Sequence, residues 1–186
     1  MYSRNDYILI IVFLTVLFLV TLRKEEIIKS LNKMYNCFDI ADYFVRKAKE
    51  EGQGIDPMKL LKLTYIAHGW YLGFEDKPLF LNQVQAWKHG TVIPELYHVI
   101  KRYGSGYVDK STLELYTENK IKKEDESFLN TIWNQYKQFS GGQLSDKTHE
   151  DGTPWQTTYN GLHNVTIPTE RIKEYYKKLI AEKRGQ

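Results

Sequence analysis

The pair Asp56-Pro57 and the apolar run behind it, MKLLKLTYIAHGWYLG over residues 58–73, constrain this chain more than any other feature. An aspartate accepts hydrogen bonds from the free N–H groups of a first helical turn, and proline is tolerated at the first helical position because its missing N–H has no partner to lose. Leu60, Leu61, Thr64, Tyr65, His68, Tyr71 and Leu72 recur at helical spacing and trace a broad stripe. The spacing predicts a mostly buried helix, with Gly73 as its stop.

The same two signals, caps and apolar period, place the other elements. Asn36, with Asp39 three residues on, starts a helix in which Ile40, Tyr43, Phe44 and Ala48 face inward, opposite Asp42, Arg46 and Lys49, until Gly52 and Gly54 end it. Pro94 opens a helix through Leu96, Tyr97, Ile100 and Tyr103 that stops at Gly104. Residues 123–139 carry an inner stripe of Phe128, Leu129, Ile132, Trp133, Tyr136 and Phe139, broken by Gly141 and Gly142. A short helix over 144–150, a single turn from Pro154 around Trp155, and a last helix over 168–182 with Ile172, Tyr175, Tyr176, Leu179 and Ile180 inward complete the helical set. Residues 83–90, QVQAWKHG, set Val84, Ala86 and Lys88 against Gln83, Gln85 and Trp87 as a short strand does, and residues 107–121 read as an irregular hairpin. The fold class expected is mainly α with a small β element, α+β in the loose sense, as one compact helical domain.

Residues 7–22, YILIIVFLTVLFLVTL, are unlike the rest. Thirteen of them are Ile, Leu, Val or Phe, and at roughly 0.3 to 0.6 kcal/mol each insertion into a bilayer is favourable. As a helix the run is about 24 Å long against a hydrocarbon core of about 30 Å, so it would be a short span. Arg23, Lys24, Lys29 and Lys33 follow it and only Arg4 precedes it, which keeps the remainder on the cytoplasmic side. The other reading is a start at Met34, where the character of the chain changes. Two parts are expected: a hydrophobic extension over 1–33 and a domain over 34–186.

A net charge of +3 with no concentrated basic stripe argues against nucleic acid as a partner. One cysteine, Cys37, excludes an internal disulfide, fits a reducing compartment and is most simply a small buried hydrophobe. The histidines at 68, 89, 98, 149 and 163 lack metal-motif spacing, and there is no paired-cysteine motif, Walker loop or nucleophile elbow. No catalytic site, metal or cofactor is expected. His149, beside Glu150 and Asp151, is the histidine best placed for special chemistry, and bracing of the Pro154 turn is its plainer role. His68 is expected to be a satisfied core histidine, and Lys88 a solvated turn lysine or a contact for an acidic partner.

Several motifs in order then resemble one family. Lys59, Leu60, Lys62, Leu63, Tyr65, Ala67, Gly69, Trp70 and Tyr71 fit a K-L-x-K-L-x-Y-x-A-x-G-W-Y helix; Trp87, Gly90, Val92 and Pro94 fit an A-W-x-x-G-P-V-x-P segment; Leu144, Thr148, His149, Pro154 and Trp155 fit an L-s-x-x-T-H-x-x-x-x-P-W element. Together with the KPLF turn at 77–80, these resemble the Panacea domain of SocA-like antitoxins from Met34 to about Leu179, with Thr91 standing where the family usually has proline. The resemblance implies an antitoxin that neutralises a cognate toxin, encoded by the adjacent gene, through direct binding, or an adaptor that delivers the toxin to a ClpXP-type protease. It makes Lys62, Tyr65, Trp70, Trp87, Lys88, Gly90, Pro94, Tyr97, Thr148, His149, Pro154 and Trp155 the candidate partner-binding or motif residues, in a cytoplasmic protein or one anchored through 7–22.

Overall fold

The computed structural model describes residues 13–24, 34–162 and 164–185. The chain divides into two units, Met1–Met34 and Tyr35–Gln186. In the first, residues 13–24 form helix α1. Residues 7–12 of the apolar run lie outside the described residues, as does His163, and among the described residues no helix is long and apolar enough to cross a membrane. The anchor expectation has no support in the structure.

The second unit is mainly helical with a small antiparallel sheet, as the residue pattern predicts. Its order is α2 (Cys37–Glu50), α3 (Pro57–Glu75), β1 (Gln85–Trp87), β2 (Gly90–Val92), α4 (Pro94–Ile100) with a 3₁₀ turn (Lys101–Tyr103), α5 (Lys110–Glu114), α6 (Lys123–Tyr136), α7 (Gly141–His149), β3 (Val165–Thr166) and α8 (Thr169–Arg184). Helix α3 is the hub. It packs against α2, α4, α6, α7, α8 and β2, and every residue from Leu60 to Leu72 is buried, so it is enclosed on all sides rather than along one stripe.

Both predicted caps form. Asn36 Oδ1 accepts from the N–H groups of Phe38 and Asp39 while Asp39 Oδ2 accepts from the Asn36 N–H at 2.9 Å, a reciprocal capping box. Asp56 Oδ1 accepts from the Lys59 N–H at 2.9 Å, with Pro57 in the first turn. Two glycine readings need correction. Gly73 does not stop α3, which runs to Glu75 and ends at Asp76 in a left-handed conformation with φ 58°; Gly73 instead gives α8 room, since a methyl group there would lie 2.8 Å from Ile180 Cδ1. Gly141 and Gly142 do not break the chain but form the first turn of α7, capped by Ser140 and Gln143. Gly141 faces the start of α3, where a methyl group would stand 2.8 Å from the Lys59 nitrogen.

Residues 107–121 contain no strand pair. Their polar backbone is satisfied from elsewhere: Asp109 caps α5 through the Ser111 N–H, the N–H groups of Glu118 and Asn119 donate to Asp39 Oδ1 at 2.8 and 3.0 Å, and Asn36 Nδ2 donates to the Tyr116 carbonyl. That long-range use of Asp39 leaves no call for a hairpin. Asp42 is likewise not on a solvated face; it is buried and paired with Arg46 at 2.8 Å.

The sheet has the order β2-β1-β3 with both pairings antiparallel. Gln85 opposes Val92, Ala86 opposes Thr91 and Trp87 opposes Gly90, while β3 sets Thr166 and Val165 against Gln85 and Ala86. Val84 and Ala86 are buried as the alternation predicts; Lys88 lies in the hairpin turn and is exposed.

A lysine-walled cleft at the β hairpin

The β1-β2 hairpin lies over the first half of α3, and between them opens a cleft of about 510 Å³. Pro57, Met58, Leu61 and Lys62 of α3 form one wall, Trp87, Lys88, His89 and Val92 of the hairpin another, and Tyr97 and Lys101 close the end toward α4. Gly104 and Asn164 complete the rim. The wall is chiefly apolar and aromatic, and its charged members are all lysines. None of Lys62, Lys88 and Lys101 is in an ion pair among the described residues.

Lys62 is the unusual member, because only 2% of it is exposed. Its Nζ donates to the Thr91 carbonyl at 2.9 Å and the His89 carbonyl at 3.4 Å, so the ammonium is held by the hairpin backbone alone. Burial without a carboxylate nearby pushes its pKa down to about 8. Gly90 permits this approach. Its φ is +110°, and a methyl group there would overlap Lys62 Nζ and stand 2.8 Å from His149 Cε1.

His149 and Trp155 reach the same hairpin from behind. His149 Nδ1 donates to the Ser145 carbonyl at 2.6 Å, which in the neutral ring leaves the lone pair on Nε2, the side facing Gly90. Its ring meets Trp155 edge-on at 4.0 Å, and Trp155 Nε1 donates to the Trp87 carbonyl at 2.8 Å. Trp87 itself is held by Gln85, whose Oε1 accepts from its Nε1 at 2.8 Å, and by an edge contact with Tyr97 at 5.1 Å.

Of the candidate residues, Lys62, Trp87, Lys88, Gly90, Tyr97, His149 and Trp155 thus converge on the hairpin, and Pro94 begins the helix that supplies Tyr97. The others do not. Tyr65 and Trp70 are buried against Tyr176 of α8, with Trp70 Nε1 donating to the Tyr136 hydroxyl at 2.8 Å. Thr148 and Pro154 join them around a second, smaller depression between α3, α7 and α8. His68 is buried as expected but not satisfied: Nδ1 has no hydrogen-bond partner, and its ring lies 4.2 Å from that of Phe80. Cys37 is fully buried, and burial raises its thiol pKa. Met58, Leu61, Val92 and Lys101 are cleft residues outside the candidate set, although Val92 belongs to a family motif and Leu61 to the apolar stripe of α3. Met58 is an exposed apolar residue in the capped first turn of α3.

Comparison with known proteins agrees with the motif order. The family model described as antitoxin SocA-like, Panacea domain, matches residues 60–156, just over half of the chain. That range contains the whole hairpin and every candidate residue, but not α2 or α8. Antitoxin SocA of Caulobacter vibrioides (strain NA1000 / CB15N) is 26% identical over 130 residues, covering 66% of this chain and 69% of the relative. No solved structure matches. By the family match, which takes in α3 from Leu60 onward, the hairpin and the His149 to Trp155 element that grips it, this chain belongs to the SocA-like antitoxins with a Panacea domain.

Proposed function

We propose that the protein is the antitoxin of a toxin–antitoxin pair and neutralises its toxin by direct contact, without catalysis, in the cytoplasm. The cleft carries this reading. It presents Met58, Trp87 and Tyr97 beside three lysines without ion pairs, a mix of apolar anchors and polar rim that suits protein recognition. An antitoxin relative supports the choice of partner. The rigid surroundings also favour binding, because a hairpin pinned by Lys62, Trp155 and α3 has little ordering cost to meet on association.

The test is co-expression of the full chain with the toxin encoded beside it. Growth is expected to be rescued, and the two purified proteins are expected to form a stable complex. Rescue that disappears in cells lacking the ClpXP-type protease would assign delivery for degradation in place of blockade. A folded protein that neither binds nor protects at any expression level overturns the antitoxin reading.

A further inference from the structure

The cleft is specific about charge. Its described lining contains no aspartate or glutamate, while Lys62, Lys88 and Lys101 approach it from α3, the hairpin turn and the end of α4. Lys62 Nζ has two carbonyl acceptors and therefore a third N–H still to place. Buried lysines are ordinarily paired with a carboxylate, and this one is not. Beside it stand Met58, Leu61, Val92 and Trp87, which leave space for an apolar group but offer no acceptor for a second cation.

Resting on the antitoxin reading above, we infer that the cleft receives an acidic anchor of the toxin. A glutamate or aspartate side chain meets Lys62 and Lys88, and the apolar residue next to it lies between Met58, Val92 and Trp87. Charge complementarity selects the carboxylate, and the apolar wall selects the neighbour. A buried ammonium held only by carbonyls, with no internal carboxylate, is left for the toxin to complete, so the contact discriminates against proteins that present a neutral or basic residue at that point.

The experiment compares full-length wild type with Lys62→Met, with the double variant Lys88→Glu/Lys101→Glu, and with Lys178→Glu on exposed α8 as control. Toxin affinity is expected to fall at least tenfold in the first two and to stay within twofold in the control. The double variant changes exposed side chains only, so it decides the matter should Lys62→Met fail to fold. In a second arm, ¹⁵N-labelled protein is titrated with N-acetyl-Leu-Glu-Phe-amide and its glutamine counterpart. The glutamate peptide is expected to shift the amides of Lys62, Trp87 and Tyr97 and to bind at least tenfold more tightly. Toxin bound equally by all variants overturns the acidic anchor while leaving the antitoxin reading intact. Toxin not bound by wild type sinks the antitoxin reading, and the peptide arm then decides the cleft alone: no preference for glutamate, or displacement by a short oligonucleotide instead, overturns it.

Discussion

The ring of Tyr176 lies directly on the backbone of Gly69: a methyl group built at Gly69 would overlap ring atoms Cδ2, Cε2 and Cζ. This contact seats α8 on α3 and explains a glycine in the middle of a helix, where it otherwise costs about 1 kcal/mol relative to alanine. Gly69→Ala is therefore expected to destabilise despite its better helix propensity, by about 2 kcal/mol as overpacking exceeds the propensity gain. Urea denaturation followed by circular dichroism measures it. Stabilisation would show that α8 yields easily.

Trp155 holds the hairpin through a single hydrogen bond, Nε1 to the Trp87 carbonyl at 2.8 Å, and through its ring contact with His149. Trp155→Phe keeps most of the ring and loses the donor. The expected cost is about 1 kcal/mol of stability, with a larger relative effect on toxin affinity, because Trp87 belongs to the cleft wall. Equal affinity for toxin in the variant would separate the hairpin from the interface.

Lys62 makes stability depend on pH in an unusual direction. Its folded pKa, about 8, lies below the unfolded value of about 10.4. Between these values the unfolded chain holds more protons, so stability rises with pH. From pH 8 to 9.5 the rise is expected to be on the order of 2 kcal/mol. Above pH 10 the buried tyrosines reverse it, since burial raises Tyr43 to about 12 and the unfolded phenols lose their protons first. Lys62→Met is expected to remove the alkaline rise and to equal or exceed wild-type stability at pH 7, while losing toxin. Unfolding curves across that pH range are the check.

His68 works at the acid end. Burial pushes its pKa down to about 3, below the unfolded value of about 6.5, so the unfolded chain takes the proton first and stability falls as pH falls through that window. Between pH 6.5 and 4.5 the loss is expected to be about 2 kcal/mol. The carboxylates Glu51 and Asp76, whose pKa values are lowered by Trp133 and by Lys177 and Lys173 respectively, add to it only at lower pH. His68→Leu is expected to flatten the upper part of the acid limb. An unchanged limb would mean that the ring finds water or a partner in solution.

Helix starts, helical class, the motif order and the family were legible in the sequence, because a cap or an apolar period is written within one or two turns of chain. Asn36 with Asp39 and Asp56 with Pro57 act on backbone groups two or three residues away, so their roles survive any change of tertiary setting. What the tertiary structure decided was how residues distant in sequence share space. Gly73 became a seat for α8, as Gly69 is, rather than a stop; Asp39 capped its own helix through Oδ2 while its Oδ1 accepted from residues 118 and 119; and Lys62 was buried against the carbonyls of 89 and 91. The cleft draws on residues from Pro57 to Asn164, and no local pattern marks it, because its apolar wall and unpaired ammonium arise only when α3, the hairpin and α4 exclude water together.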